Sequence, residues 1–288
     1  MSIALAKQAT SIEPRRRITD VVMRGLCVAA TVIALIPLVA VLYYVASKGV
    51  GAISWEFFTH DSSTPPSEPG GGMSNAIVGS LMVVGLACAM GIPVGVLTGV
   101  YLSELGRDSM FARTVRFTAD AMSGIPSIVI GVFTYTLIVL HQRHFSALAG
   151  GVALAIIMLP TVTRTTEEML KLVPDSLREA ALALGVPRWK AIVTIVLRTA
   201  APGIATGVML AIARVAGETA PLIFTAFGNP HVSTSLNQPV GTMPVLIFED
   251  AKSPYDELNR QAAAGALVLV AFILLLNITA RLVVRRKK

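Results

Sequence analysis

The sequence predicts an all-α, polytopic membrane protein with six transmembrane helices. Only 14% of its 288 residues are charged, and the mean hydropathy is +0.70. Uncharged apolar runs recur along the chain, and several are long enough to cross roughly 30 Å of hydrocarbon. A water-soluble globular enzyme needs neither so much apolar surface nor runs of this length. The composition therefore argues against an ordinary soluble protein.

Each predicted span is a long apolar segment bounded by polar or turn-forming residues. The six segments are 25–46, 75–102, 117–140, 145–163, 199–227 and 261–284. The second and the fifth are longer than a bilayer requires, so we expect them to tilt, bend or protrude, with Pro93 and Pro221 as break points. We assign residues 25–284 to a membrane domain, with basic tails at 1–24 and 285–288.

Basic residues are distributed unevenly between the two sides of the predicted bundle. Of the 24 Lys and Arg residues, 19 lie in the N-terminal segment, in the 103–116 and 164–198 loops and at the C-terminal end. Four lie on the other side, and Arg214 lies inside a span. The positive-inside rule therefore predicts that both termini are cytoplasmic. The net charge of +7 is mostly a topology signal and gives no reason to expect nucleic-acid binding.

The 164–198 segment is too long for a simple connection and carries the signals of a short helix. Ser176 and Glu179 have the spacing of a capping box, and Gly185 has the position of a C-terminal cap. The run between them, 180–184, consists of Ala and Leu. A stiff helix with such a face can dock on a soluble partner, or it can pack on its own bundle as an interfacial helix.

The 179–197 stretch resembles the EAA loop of ABC importer permeases. The matching positions of the helix itself are Glu179, Ala180, Ala181 and Gly185. The resemblance implies a type I permease fold, in which this cytoplasmic coupling helix docks into an ATPase subunit; the sequence departs from the family pattern at Arg198, where proline is usual. The chain has no Gly-Lys dipeptide and hence no P-loop. ATP and Mg²⁺ therefore belong to a separate ATPase chain, and this protein is a transporter subunit, not an enzyme.

An ionisable pair lies inside the fifth predicted span. Arg214 and Glu218 are four residues apart, which places them on one face of a helix. A charged side chain near the bilayer centre costs about 2.5 to 3.5 kcal/mol on insertion scales, so a functional role is the default interpretation, and a structural ion pair is the alternative. The planar fork of Arg214 can bind a tetrahedral oxyanion through two hydrogen bonds. Glu218 can hold Arg214 or accept a hydrogen bond from protonated phosphate, and since sulfate has no proton to give, we expect phosphate to be preferred.

Residues that interrupt helices lie close to these polar groups. Gly217 and Pro221 can open the fifth helix and free backbone groups to line a cavity. Pro126 weakens the third helix, where Ser123 and Ser127 offer hydroxyls to a substrate or to freed carbonyls. In the 123–131 stretch, close helix packing explains the small residues equally well.

Two stretches, 123–131 and 214–221, resemble the phosphate-specific ABC importer permeases, and the 217–226 and 243–248 segments are similar to the A-type subunit of that family. The pathway residues implied are Arg214, Glu218, Thr219, Ser123 and Ser127, with Gly217, Pro221 and Pro126 as hinges. The resemblance also implies a C-type permease partner, two ATPase subunits and an extracytoplasmic phosphate-binding protein, in the plasma membrane of a bacterium or archaeon. We expect no cofactor or metal on this chain.

The sequence leaves two alternatives open. A proton-coupled secondary anion carrier would use Glu218 as a proton relay, and a related ABC importer would carry another oxyanion. A carrier of six helices has no need for the 176–185 helix, and no clear inverted repeat is evident. An intramembrane enzyme would need HExxH, paired aspartates or a Ser/His pair, none of which the spans contain. His141 and His144 lack a third ligand, so we interpret them as interfacial residues.

Overall fold

The structure is a computed structural model that describes residues 14–64 and 71–285, and every regular element among them is helical. The helices are α1 Pro14–Gly49, α2 Trp55–Thr59, α3 Ser74–Leu105, α4 Met110–Ser123, α5 Ser127–Gln142, α6 Ala147–Lys171, α7 Asp175–Ala183, α8 Arg188–Ala216, α9 Ala220–Thr225, α10 Met243–Ala251 and α11 Asp256–Arg285. Within α3, α5 and α8, one turn is π-helical, at Tyr101–Leu105, Tyr135–Val139 and Ile192–Val196 respectively.

Contacts divide the chain into two compact units at Lys48. The first unit contains α1, which includes the whole predicted span 25–46 and begins within the predicted basic tail. Residues 1–13 and 286–288 of the predicted tails lie outside the described residues, as do residues 65–70. The assignment of 1–24 and 285–288 as separate tails therefore stays a prediction.

Five helices among the described residues are long and apolar enough to cross a membrane, namely α1, α3, α6, α8 and α11. The sixth predicted span is a pair of helices, α4 and α5, that meet at 106°. The 117–140 segment is not one continuous helix, and it bends at the predicted hinge Pro126, because this residue supplies no N–H and disfavours helical backbone at Ile125. The all-α, multi-pass membrane fold is confirmed, with this span bent.

The fifth predicted span, 199–227, is displaced along the chain. The helix α8 begins earlier, at Arg188, and ends at Ala216, and α9 follows after a break at 217–219. Pro221 is not the break point, since it lies in the first turn of α9, where a missing N–H removes no helical hydrogen bond. Pro93 is not a break point either, since α3 continues through it. A proline inside a transmembrane helix is tolerated when neighbouring helices bond the backbone groups that it frees.

The centre of the second unit is a close contact between α3 and α6. Glycines spaced four apart on α3 face larger residues on α6. In order, Gly91, Gly95 and Gly99 face Met158, Val162 and Thr166. A Cβ at Gly95 would lie 2.8 Å from the Val162 Cβ, so any larger residue there would push the two helices apart. Seams of small residues of this kind let transmembrane helices approach closely, and this one fixes α3 against α6.

Candidate functional site

Two interrupted helices meet at the centre of the second unit. The helix α5 begins directly after the Pro126 bend, and α9 begins directly after the break at 217–219. A Cβ at Gly131 in α5 would lie 2.6 Å from the Pro221 Cα, so these helices touch almost backbone to backbone. Backbone groups freed at helix breaks require polar partners or a water-filled cavity inside a membrane. The contact between α5 and α9 therefore brings two such breaks to one place.

A small cavity beside these breaks brings together three of the five predicted pathway residues. Arg214, Ser123 and Ser127 line it, although they come from different helices. The remaining wall is formed by Met122, Ile125, Ile130, Ile157, Pro160 and Thr161. The cavity has a volume of ≈ 10 Å³, about the room of a single water molecule and too little for a tetrahedral oxyanion. In this conformation the cavity has no room for the substrate.

Glu218 lies close to Arg214 but not on the same continuous helix. The prediction of one shared helical face is wrong, because α8 ends at Ala216 and Glu218 lies in the break. Its Oε1 nevertheless lies 3.7 Å from the Arg214 Nε, within the range of an ion pair but too far for a hydrogen bond. The Glu218 side chain thus remains near enough to balance the charge of Arg214.

The Arg214 side chain is 51% exposed on the surface of the chain. Charged residues in transmembrane segments almost always face a protein interior or a water-filled cavity, because contact with lipid is costly. The exposure of Arg214 therefore indicates that another polar surface, or water, faces this side of α8.

The other predicted residues at the breaks have local backbone roles. The Thr219 carbonyl accepts hydrogen bonds from the Leu222 and Ile223 amides, at 3.1 and 3.3 Å, and so starts α9. The Gly217 amide donates to the Arg214 carbonyl at 3.2 Å where α8 ends. The Ser123 Oγ donates to the Ala119 carbonyl at 3.0 Å, in the last turn before the bend.

Sequence reasoning missed Thr161, which contributes a hydroxyl-bearing side chain to the same cavity from α6. The signal that was available is Pro160, a proline within the fourth predicted span and so of the same kind as Pro126. No group of three or more His, Cys, Asp or Glu residues within 14–64 and 71–285 is placed to hold a metal.

The predicted docking helix is present as α7, but it starts earlier than expected. Asp175 is its first residue, and Pro174 occupies the cap position without a side-chain hydrogen bond. The predicted capping box of Ser176 and Glu179 is therefore wrong, because Ser176 already lies in the first helical turn. The acidic Asp175 side chain at this end interacts favourably with the helix dipole.

The end of α7 is as predicted. Gly185 has φ +78°, a left-handed conformation that disfavours larger residues. The Gly185 amide donates to the Leu182 carbonyl at 2.9 Å, and the Val186 amide donates to the Ala181 carbonyl at 3.1 Å. These bonds close the helix and turn the chain towards α8.

The predicted coupling residues lie on two sides of α7. Ala181 is buried against the bundle, whereas Glu179, Ala180 and Gly185 are exposed. Next to them, the Leu184 side chain is 84% exposed. Exposed apolar side chains of this size are typical of interaction surfaces.

A buried ion pair anchors α7 and was also missed from the sequence. Arg178 Nη2 donates to Glu104 Oε1 at 2.7 Å, and its Nε donates to Oε2 at 3.2 Å. The hydrogen bonds that Arg178 donates to the Glu104 carboxylate raise the pKa of its guanidinium, against the opposing effect of burial. The sequence pattern does not pair these two residues, because Glu104 follows the second predicted span and Arg178 lies far away in the 164–198 loop.

Comparisons with known proteins agree with this architecture. Residues 91–288 match the family described as binding-protein-dependent transport system inner membrane component. The chain is 44% identical over 294 residues to the phosphate transport system permease protein PstA of Yersinia pestis, covering 100% of this chain and 99% of that protein. It is 45% identical over 273 residues to the protein of the same name from Haemophilus influenzae, covering 95% and 96%.

Two solved structures share the fold. One is a bacterial ABC transporter involved in the import of the acidic polysaccharide alginate, with a TM-score of 0.61, 14% identity and coverage of 94% of this chain and 99% of that one. The other is the inward-facing MetNI methionine ABC transporter, with a TM-score of 0.60, 18% identity and coverage of 75% and 94%. The chain therefore belongs to the family of binding-protein-dependent transport system inner membrane components, and within it to the PstA permeases.

Proposed function

We propose that this chain is the permease subunit of an ATP-driven importer of inorganic phosphate, and that phosphate passes beside Arg214. The names of the relatives point to phosphate as the substrate. The observation that supports the pathway is the cavity that joins Arg214 to Ser123 and Ser127 next to two helix breaks. The guanidinium keeps its charge and can bind two phosphate oxygens at once.

Transport requires this small cavity to widen and to open alternately to the two sides of the membrane. The hinge residues are Pro126, between α4 and α5, and Gly217 and Pro221, at or next to the break between α8 and α9. Thr219 takes part by holding the start of α9. Glu218 balances Arg214 when no phosphate is bound and accepts a hydrogen bond from protonated phosphate, which sulfate cannot donate.

Two exposed surfaces of the chain support the proposed partners. The exposed side of Arg214 faces a second permease chain of the C type, so that the pathway lies between the two permeases. The exposed side of α7, with Glu179, Ala180 and Gly185, docks on one of two ATPase subunits, which bind the ATP and Mg²⁺. An extracytoplasmic phosphate-binding protein delivers the substrate at the other side. Both termini of this chain are cytoplasmic, in a bacterial or archaeal plasma membrane.

The test is Arg214→Gln in the complete importer, reconstituted in proteoliposomes. We expect ATP-dependent phosphate uptake to fall about tenfold to a hundredfold, as expected for losing charged hydrogen bonds, while the complex still copurifies. The matched control is Arg198→Gln, which makes the same change at an exposed position of α8 away from the cavity. Normal uptake by Arg214→Gln, or equal loss in both variants, contradicts the pathway.

Two further arms of this assay separate the alternatives. Without the binding protein, basal phosphate transport should still exceed sulfate transport; equal rates would exclude the role of Glu218 in selection. Without the ATPase subunits, uptake should cease, whereas uptake driven by a proton gradient would indicate a secondary carrier.

A further inference from the structure

Four helix ends meet around the Glu104 residue. Glu104 lies in the π-helical turn that ends α3, and its side chain is only 5% exposed. Its carboxylate accepts hydrogen bonds from Arg178 of α7 and from the Ser103 hydroxyl, the latter at 3.1 Å. Its carbonyl accepts a hydrogen bond from Arg188 Nη2, at the start of α8, at 2.5 Å. One residue at the end of α3 is thus bonded to both α7 and α8.

Arg178 is equally well fixed from its own side. Its side chain is 14% exposed, and it donates to the Leu170 and Val173 carbonyls at 2.9 and 2.6 Å, at the end of α6. It also contacts Asp175 Oδ1 at 3.0 Å. A buried charge pair is stable only when its geometry is good and its remaining polar atoms are bonded, and both conditions hold here.

The bonded helices lead from α7 to the cavity. The helix α8 runs for 29 residues from Arg188 to Ala216, about 42 Å, and carries Arg214 near its far end. The helix α3 is held to α6 along the glycine seam at Gly91, Gly95 and Gly99. A movement of α7 can therefore be transmitted through Glu104 to α8 by hydrogen bonds, and to α6 by the packing of α3. Both α6 and α8 line the cavity.

We propose that the Glu104–Arg178 ion pair is the positioning contact that ties α7 to α3 and α8, so that a force applied to α7 moves these helices with it. The inference rests on the proposed function, because the force comes from the docked ATPase subunit. Arg188 strengthens the same junction by bonding α8 to the Glu104 backbone. The Glu104 and Arg178 side chains lie outside the cavity that contains Arg214, so this ion pair acts through the helices that it joins.

The test compares Glu104→Gln with a matched control in the complete, reconstituted importer. The measured quantity is phosphate transported per ATP hydrolysed by the assembled complex. Glutamine keeps the shape of the side chain but removes its charge, so we expect this ratio to fall about tenfold while ATP hydrolysis continues. The control is Glu167→Gln, which removes the charge of a buried carboxylate that pairs with Arg116 at 2.8 Å and with Lys171 at 2.6 Å, at the same end of the bundle but without involving α7. We expect the control to keep its ratio.

A covalent link tests the same idea without relying on the stability of Glu104→Gln. Cysteines replace Glu104 and Arg178 in a chain whose native Cys27 and Cys88 are replaced by serine, and a short bis-maleimide joins them. If α3 and α7 move together, the cross-linked complex transports close to the wild-type amount of phosphate per ATP hydrolysed, whereas the uncross-linked double variant does not. If they must move apart during the cycle, the cross-linked complex hydrolyses ATP without transport, and the proposal is wrong.

The outcomes separate this inference from the proposed function. A wild-type complex that fails to transport phosphate overturns the proposed function itself. A wild-type complex that transports phosphate, together with an unchanged ratio in Glu104→Gln or an equal fall in Glu167→Gln, overturns only the positioning role of the ion pair.

Discussion

At the scale of single residues, Asp250 shows how burial changes the chemistry of a carboxyl group. It lies near the end of α10, outside the long spans, and is 8% exposed. Burial, and to a lesser extent the neighbouring charge of Glu249, raises the pKa of Asp250 to about 7. The folded protein therefore binds this proton more tightly than the unfolded chain does. The stability of the fold should fall as pH rises from about 4 to about 7, the interval between the unfolded and folded pKa values.

We expect Asp250→Asn to remove this dependence on pH. The variant should have a higher thermal unfolding midpoint than wild type at about pH 8, with a smaller difference at about pH 5, because wild-type Asp250 is charged only at the higher pH. Unfolding of the purified protein in detergent, followed by intrinsic fluorescence, measures both midpoints. An equal shift at both pH values would show that charge burial is not the cause.

Asp61 provides a control of opposite sign. The Ser63 hydroxyl donates to its carboxylate, and this bond is the main cause that lowers the pKa of Asp61. Its contribution to stability is present above the unfolded pKa and is lost as pH falls through the folded pKa. Asp61→Asn should therefore lower the midpoint at about pH 8, where Asp250→Asn raises it.

At the scale of elements, the contact between α5 and α9 limits which residues are tolerated. Gly131→Ala would place a Cβ 2.6 Å from the Pro221 Cα, and since the neighbour is backbone, the two helices must separate. We expect a destabilisation of about 1–3 kcal/mol and reduced phosphate uptake, because the cavity wall moves with α5. Thermal unfolding of the purified complex and uptake in proteoliposomes measure these effects.

The matched control is Gly85→Ala in α3. A Cβ there meets nothing within 4 Å, so this substitution should be neutral or stabilising by up to about 1 kcal/mol through helix propensity. If both alanine variants behave alike, close approach of α5 and α9 is not what the site requires.

Elements also show where sequence reasoning reached its limit. Hydropathy located the apolar segments well, because the bilayer requires a minimum length of apolar residues in any span. Hydropathy showed the third span as one apolar segment and the fifth as ending at residue 227. The length of an apolar segment does not show where the helix axis bends or where one helix ends and the next begins. Pro126 and Gly217 mark the bend and the break along the chain, but the helices that pack around them come from distant segments that hydropathy does not identify.

At the scale of the whole molecule, the distribution of basic residues makes a prediction about orientation. In a chain without Cys27 and Cys88, Ser235→Cys and Asp108→Cys each place one thiol at an exposed position, and neither lies on α7. A membrane-impermeant maleimide should label Ser235→Cys in intact spheroplasts and Asp108→Cys only after permeabilisation. The reverse pattern would contradict cytoplasmic termini and the docking of α7 on an ATPase.

Local sequence was enough to establish the membrane class and the short helix α7, and it predicts a role for Arg214. These conclusions rest on local quantities, namely apolar length, the Gly185 cap and a lone charge within an apolar run, which neighbouring residues along the chain are enough to define.

Which distant residues share a site depends on how the helices pack in three dimensions. It joined Arg214 to Ser123, Ser127 and Thr161 in one cavity, and it joined Glu104 to Arg178 beneath α7. The physical reason is that a polar group withdrawn from water takes whichever partner the packing of helices brings within reach. That packing follows from close approaches, such as the glycine seam of α3, that join segments far apart in the sequence.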